Sequence, residues 1–221
     1  MRAHLTSCLA FVGLAATSTG LAAQESELNF RFGIDYWGAR TQVEQSKETI
    51  HQDSVEARVP FYLAIEHNYP YVPNFRVRYT PVEGEYIEYN KYDYTLYYDI
   101  IEHDLMHFDI GATWSTYADG DYRNPAQTER TFTKRIFSWH ANAEINVPNS
   151  DFSIIGEFDF ANRSGNKTAD LTAGVRYDFD IEKFDAAIRG GYRATEYKFD
   201  FMADNDFYLT HGFFIGVELG L

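Results

Sequence analysis

The sequence predicts an all-β fold, a closed antiparallel transmembrane β-barrel of about ten strands in up-and-down order. First, residues 207–221 alternate apolar with small or polar side chains up to the last residue, which describes a strand with a different solvent on each side. Second, nine earlier segments show the same period of two, and ten is an even number, as in bacterial single-chain barrels. Third, a secretory leader precedes these segments.

The leader is predicted to be a signal peptide of residues 1–23. Arg2 supplies its positive charge, residues 9–16 form its apolar core, and small residues then lead to Ala23. We therefore expect cleavage near Ala23, which leaves residues 24–221 as one outer-membrane β-barrel domain.

Composition and charge exclude several classes of function. The net charge of −14 argues against nucleic-acid binding, because phosphates require clustered Lys and Arg. The single cysteine, Cys8, lies in the leader, so the mature chain has no disulfide and no thiolate metal site. Beyond the leader no apolar segment approaches the roughly 18 residues that a membrane-spanning helix needs, so the chain crosses a membrane only as a closed barrel.

The first five strands each have one apolar and one polar face. Their apolar residues are Leu28, Phe30, Phe32, Ile34 and Tyr36 in strand 28–39; Val55, Val59, Phe61, Leu63 and Ile65 in strand 55–66; Phe75, Val77 and Tyr79 in strand 75–80; Tyr92, Tyr94, Leu96, Tyr98 and Ile100 in strand 92–100; and Phe108, Ile110, Ala112 and Trp114 in strand 106–114. Residues 40–53 lack periodicity and are predicted to be a solvated loop, whereas Pro70 and Pro73 mark a tight turn.

The last five strands repeat the pattern. Their apolar residues are Phe137, Trp139, Ala141, Ala143 and Ile145 in strand 137–147; Phe152, Ile154, Phe158 and Phe160 in strand 152–160; Leu171, Ala173, Val175, Tyr177 and Phe179 in strand 170–179; several residues of strand 184–199; and Phe213, Ile215, Val217 and Leu219 in strand 207–221. Residues 117–130 and 162–167 are predicted loops. The periodicity of strand 184–199 shifts near its end, which predicts a β-bulge there.

The connections alternate between short and long. Short turns on the periplasmic side and longer loops outside are typical of bacterial outer-membrane barrels, and strands of about 10 to 12 residues suffice for a tilted crossing. We therefore expect an outer-membrane protein that contacts outer-membrane lipids and lipopolysaccharide, is inserted by the barrel-assembly machinery, and is a monomer. A soluble, lipocalin-like barrel would have to bury the aromatic face in a core too small for it.

Short motifs are spread over nearly the whole mature chain. They are Gly33-Ile34-Asp35-Tyr36-Trp37, Ala64-Ile65-Glu66-His67, Val72-Pro73-Asn74, Arg76-Val77-Arg78-Tyr79, Leu96-Tyr97-Tyr98-Asp99-Ile100, Phe108-Asp109-Ile110-Gly111 and Gly190-Gly191-Tyr192-Arg193. In these motifs the chain resembles a family of small proteobacterial outer-membrane β-barrel proteins named for a Gly-Gly in a late strand. The resemblance implies the fold and the location, and it implies no established activity.

The polar face of the strands carries arginines and carboxylates. Charges in a narrow lumen must be paired or hydrated, and a ten-stranded lumen is close to the size that side chains fill. The expected lumen network is Arg76, Arg78, Arg176, Arg189, Arg193, Asp93, Asp99, Asp109, Glu157, Asp159 and Asp178. We therefore predict a structural or surface-interaction barrel with a charge-filled narrow lumen, without catalysis and without a cofactor. The alternative is a narrow channel for ions or small solutes.

A surface hydrolase is a further alternative, because His51 with Asp53 and His211 with Asp206 fall near the predicted outer rim. Oxygen ligands also cluster at residues 119–121 and 204–206, but these stretches lack a full calcium-loop pattern. Solvated acidic loops are therefore favoured, and the sequence leaves open whether they bind a metal.

The assignment of faces makes a prediction of its own. Ile215→Arg, on the lipid face, should be costly and reduce assembly, whereas Gly216→Ser, on the lumen face, should be much milder.

Overall fold

The computed structural model describes residues 28–46, 48–123, 129–181, 184–202 and 206–221; the predicted signal peptide lies outside them. The described residues form twelve β-strands. These are β1 (Leu28–Gln45), β2 (Glu48–Gln52), β3 (Glu56–Arg58), β4 (Phe61–His67), β5 (Asn74–Val82), β6 (Ile87–His103), β7 (Met106–Arg123), β8 (Glu129–Asn146), β9 (Phe152–Arg163), β10 (Asn166–Ile181), β11 (Phe184–Lys198) and β12 (Asp206–Gly220). No helix among these residues is long and apolar enough to cross a membrane.

The strands close into an antiparallel barrel of ten members, as predicted. β12 pairs with β11 on one side and with β1 on the other, and Tyr36 lies opposite Ile215 in that closing seam. β3 and β4 both pair with β1 and form one member of the barrel that is interrupted at Pro60, which has no N–H to donate. β2 pairs with the end of β1 on the same edge as β3 and β4, because β12 occupies the other edge, so β2 continues this member of the barrel toward the outer end.

The outward face carries a continuous apolar band. On β1 it extends from Leu28 to Tyr36, the nine or so residues that a tilted strand needs to cross the hydrocarbon. On β12, Phe213 and Ile215 are 75% and 60% exposed although they are among the most apolar residues of the chain. A closed antiparallel barrel with such a band is the architecture of a bacterial outer-membrane protein. The end with Leu28 and Leu221 is called the periplasmic end below, and the other the outer end.

The strands are longer than the sequence predicted. β1 continues to Gln45, β7 reaches Arg123, and β8 begins at Glu129, so most of the predicted loops 40–53, 117–130 and 162–167 are strand. The prediction was wrong because the backbone ladder continues beyond the membrane, where outward side chains such as Arg40 are polar. Loss of the apolar periodicity there marks the edge of the lipid and not the end of the strand.

The predicted bulge in β11 is also wrong. β11 pairs with β10 and β12 in unbroken register through Tyr197. Tyr197 lies on the inward face and is fully buried, and Phe199, just beyond the strand, is fully buried as well. The aromatic residues that suggested a change of face belong to the interior of the barrel.

The interior contains an apolar layer at the outer end, which we call the aromatic cluster. Its members are Val43, Val82, Ile87, Tyr89, Tyr117, Tyr122, Phe132, Ile136, Ala161, Tyr197, Phe199, Met202 and Tyr208, with Tyr86 and Phe201 packed against them. Polar and charged side chains occupy the interior between this cluster and the periplasmic end.

Candidate functional site

The centre of the lumen is a layer of three cations and three carboxylates, which we call the central charge layer. Its members are Arg78, Lys91, Arg193, Asp93, Asp159 and Asp170. Arg193 forms two hydrogen bonds to Asp170, Nε to Oδ1 at 3.0 Å and Nη2 to Oδ2 at 2.7 Å. Lys91 Nζ lies 3.0 Å from Asp170 Oδ2 and 3.1 Å from Asp93 Oδ2. Asp170 therefore pairs with two cations at once.

Arg78 joins this layer to the wall of β9. Its guanidinium donates to Asp93 at 3.3 Å, to Asp159 at 3.2 Å and to Glu157 at 2.5 Å. The remaining oxygens of Asp93 and Asp159 accept hydrogen bonds from Ser115 and Thr113. Because each buried charge has both an opposite charge and hydrogen-bond partners, the layer avoids the large penalty for isolated buried ions.

Arg76 and His140 complete the layer on its periplasmic side. Arg76 forms a bidentate pair with Glu157 at 3.0 and 2.8 Å, and His140 Nδ1 lies 3.0 Å from Asp159 Oδ1. Glu157 is therefore shared by Arg76 and Arg78, and Asp159 by Arg78, Thr113 and His140. A histidine held in this way is a structural member of the network.

Two further pairs lie nearer the periplasmic end. Arg189 binds Asp35 at 3.0 and 2.7 Å. Arg176 donates to Glu218 at 2.5 Å and to Asp178 at 2.7 Å, and the Tyr62 hydroxyl also donates to Glu218.

All eleven residues of the expected lumen network face the interior, but not all are paired as the prediction held. Arg189 binds Asp35 and Arg193 binds Asp170, two carboxylates that the prediction did not include. Asp99 accepts a hydrogen bond from Asn74, and Asp109 accepts one from Asn142, where the prediction expected arginines. Asp99 and Asp109 lie opposite each other in β6 and β7, and both line the recess at the periplasmic end.

Sequence reasoning missed Lys91, Asp35, Asp170 and Glu218 as members of the network. The sequence does place them on the inward face, since Asp170 alternates with Leu171 and Glu218 with Leu219. Their partners were not visible, because Asp35 and Arg189 are 154 residues apart and meet only through barrel closure.

The aromatic cluster covers the charge layer on its outer side. Tyr89 packs edge-on against Tyr117 and Tyr197, with ring centroids 5.1 and 5.3 Å apart. Lys91 Nζ lies 5.9 Å from the centre of the Tyr117 ring, so the two layers are in contact. Burial raises the pKa of Tyr208 and of Tyr122, which lie beyond the apolar band, so both phenols stay neutral.

Below the charge layer the lumen opens toward the periplasm. A cavity of about 90 Å³ is lined by residues that include Tyr62, Arg76 and His140. It shares Arg31 and Glu66 with a wider recess of about 480 Å³ at the periplasmic end. The smaller cavity has room for a few water molecules. The described part of the lumen is thus a funnel that is wide at the periplasm and filled toward the outside.

The outer rim holds one of the two predicted histidine pairs. His51 Nε2 lies 2.8 Å from Asp53 Oδ1 and 3.1 Å from Glu85 Oε2. His211 and Asp206 are not a pair, since His211 faces outward and contacts Tyr192, whereas Asp206 is buried and accepts a hydrogen bond from Gln45.

The acidic stretches 119–121 and 204–206 do not form a shared oxygen site among the described residues. Asp119 accepts a hydrogen bond from Asn90, and Asp121 lies 3.9 Å from Arg123. Residues 204 and 205 lie outside the described part of the chain.

Comparisons with known proteins give similarity in fold only. No protein-family model and no curated protein matches the chain. Solved structures that are similar include the outer membrane protease OmpT from Escherichia coli, with 9% identity and a TM-score of 0.49 over 87% of this chain and 95% of that chain. The beta domain of the Bordetella autotransporter BrkA has 9% identity and a TM-score of 0.42 over 88% and 99%. Ail, the attachment invasion locus protein of Yersinia pestis, has 11% identity and a TM-score of 0.35 over 88% and 99%. Likeness at this level carries no argument about function.

Proposed function

We propose that this outer-membrane β-barrel has a structural or surface-interaction role and a sealed lumen, without catalysis. One observation carries the proposal: the aromatic cluster and the central charge layer fill successive levels of the lumen. A solute that entered from the periplasmic funnel would have to break the Asp170 pairs and then displace the rings of Tyr89 and Tyr197.

The electrostatics of the lumen support the same conclusion. Three cations face three carboxylates in the central layer, so the layer offers neither a net charge to attract an ion nor a row of free ligands to conduct it. The open aqueous channels of porins are formed by 16 to 18 strands, and this barrel has ten members. The acids and bases of the central layer bind one another, so none is assigned the role of a free general acid or base.

The length of the strands suggests where the role is exercised. β7 and β8 each have 18 residues, which exceeds the 9 to 11 that a crossing requires. The additional strand residues extend the barrel beyond the apolar band at the outer end, where they form a rigid, sealed platform. We propose that this platform is the surface offered to other molecules.

Outer-membrane lipids and lipopolysaccharide are the proposed surroundings, and the barrel-assembly machinery the proposed route of insertion, for a chain that acts as a monomer. Arg40 and Arg135 support the first of these, because both face outward just beyond the apolar band, where anionic lipid headgroups lie.

We also propose membership of the small outer-membrane barrel family with the late-strand Gly-Gly. Gly191 lies opposite Gly174 in β10 and β11. A Cβ on Gly191 would lie 2.6 Å from the Gly174 Cα, and one on Gly174 would lie 2.4 Å from the Gly190 carbonyl oxygen. This close approach requires glycine at position 191 of the motif, whereas a Cβ on Gly190 would meet only the Phe214 carbonyl oxygen, at 3.4 Å.

Planar-bilayer recording tests the sealed lumen. The purified mature protein should show no stable porin-sized conductance under conditions in which a general porin conducts. A narrow channel is the second candidate, and the periplasmic funnel is the observation that favours it. A reproducible conductance whose ion selectivity changes in Arg189→Ala, with stability unchanged, would replace the sealed barrel with the channel.

A further inference from the structure

The outer rim carries a cluster of metal-ligand atoms that the sealed lumen does not explain. His51 Nε2, Asp53 Oδ1 and Glu85 Oε2 all lie within 4.8 Å of one another. His51 is the penultimate residue of β2, and Glu85 lies in the loop between β5 and β6. The geometry points to a divalent transition-metal site of the zinc class, with these three atoms as ligands.

The distances match those of a metal site. Zinc bonds to nitrogen and oxygen are about 2.0 to 2.2 Å long, so two tetrahedral ligands are about 3.3 Å apart. His51 Nε2 lies 2.8 Å from the Asp53 oxygen and 3.1 Å from the Glu85 oxygen, and shifts of a few tenths of an ångström suffice to admit the ion. One imidazole nitrogen has a single proton to donate, so a cation at the centre satisfies both carboxylates better than the proton does.

Contacts with neighbouring groups hold the ligands in place. The second oxygen of Asp53 accepts a hydrogen bond from the Glu85 N–H at 3.2 Å, which leaves Oδ1 for the metal. The His51 ring packs edge-on against Tyr86, with centroids 4.6 Å apart. Gly84 lets the loop approach, since a Cβ there would lie 2.8 Å from Asp53 Oδ2.

The surroundings favour a cation and leave one side of the site open. The three ligands line a recess of about 620 Å³, together with Glu56, Glu83 and Glu88. None of the described residues that line this recess is a lysine or an arginine. A set of one imidazole and two carboxylates suits Zn²⁺, whereas Ca²⁺ and Mg²⁺ prefer oxygen ligands alone. A bound ion would join β2 to the loop between β5 and β6, with the open position facing the recess.

Calorimetric titration tests the site. ZnCl2 is added to the full mature protein, without a polyhistidine tag, after folding in detergent and removal of metals with a chelator. The wild type should bind Zn²⁺ saturably at one site, and Co²⁺ at the same site should show the visible absorption of tetrahedral coordination. His51→Gln and Asp53→Asn should lose both signals, and Glu85→Gln should weaken binding, with Glu85 exposed enough that folding is unaffected.

His107→Gln is the matched control, because His107 lies in the carboxylate-lined recess at the opposite end of the barrel. It should bind Zn²⁺ as the wild type does. Equal binding by the wild type and Glu85→Gln or His51→Gln, or no saturable binding by the wild type, would overturn the site. Preference for Ca²⁺ over Zn²⁺ would overturn its assignment to the zinc class. Unboiled migration in SDS gels shows that each variant is folded.

Discussion

Arg189 and Asp35 form a bidentate ion pair directly across Gly216. Arg189 lies opposite Gly216 in the β11–β12 register, and Asp35 lies opposite the same glycine in the β1–β12 register. The pair therefore passes over β12 and ties β11 to β1 at the closing seam. Only a residue without a side chain leaves the space for it, because a Cβ on Gly216 would lie 2.0 Å from Asp35 Oδ1 and 2.7 Å from the Ile34 carbonyl oxygen.

Gly216→Ala should therefore destabilise the barrel. The sequence prediction for Gly216→Ser considered only the face on which Gly216 lies and not the ion pair above it, so a larger cost is now expected for that substitution too. Overpacking of this kind costs about 1–3 kcal/mol, and the backbone oxygen of Ile34 cannot move away as a side chain could. Gly156→Ala is the control, since a Cβ there meets nothing within 4 Å. Equilibrium unfolding in urea, followed by tryptophan fluorescence, compares the two; equal effects would contradict the role of Gly216.

Ile215→Arg tests which face contacts lipid. Ile215 is 60% exposed in the apolar band, and an arginine near the bilayer midplane should cost about 2–4 kcal/mol and reduce assembly. His107→Arg introduces the same side chain into the periplasmic recess, where water surrounds it, and should have little effect. Heat-modifiable migration in SDS gels measures the folded fraction. A larger loss for His107→Arg would mean that the faces are reversed.

Phe199→Ala tests whether the aromatic cluster stabilises the barrel. Phe199 is fully buried and its ring contacts Tyr117 and Phe132, with centroids 5.0 and 5.3 Å away, so truncation should cost about 3–5 kcal/mol. Phe213→Ala removes the same ring from the outward face, where Phe213 is 75% exposed, and should cost much less. Urea unfolding of both variants decides the point. Phe199→Ala should still not conduct in planar bilayers, because the central charge layer remains in place.

The sequence predicts the barrel better than it predicts the contents of the lumen. The alternation from Leu28 to Tyr36 reports lipid on one side, and that signal is local to each strand. Beyond the lipid the outward residues become polar, so the ends of β1 and β7 were placed too early. The pairs Arg189–Asp35 and Arg193–Asp170 depend on the stagger of the closed barrel, which a period of two does not determine. The predicted bulge near the end of β11 is wrong because an aromatic residue on the polar face, such as Tyr197, has no local signature of burial.

Asp170→Asn gives the sharpest test of a dry, paired lumen. The substitution preserves volume but removes the charge that Arg193 and Lys91 share. Arg193 then remains buried without its carboxylate partner, and Lys91 keeps only Asp93. Breaking a buried pair in this way should cost about 3–5 kcal/mol. Glu196→Gln breaks the exposed pair that Glu196 forms with Lys167 at 3.0 Å, and exposed pairs contribute about 0.2–1 kcal/mol. Urea unfolding at low and high salt compares the two, and the Asp170→Asn loss should persist at high salt because buried pairs are screened little. A loss for Asp170→Asn as small as that for Glu196→Gln would mean that water reaches the central charge layer, and the sealed lumen would then give way to a hydrated channel.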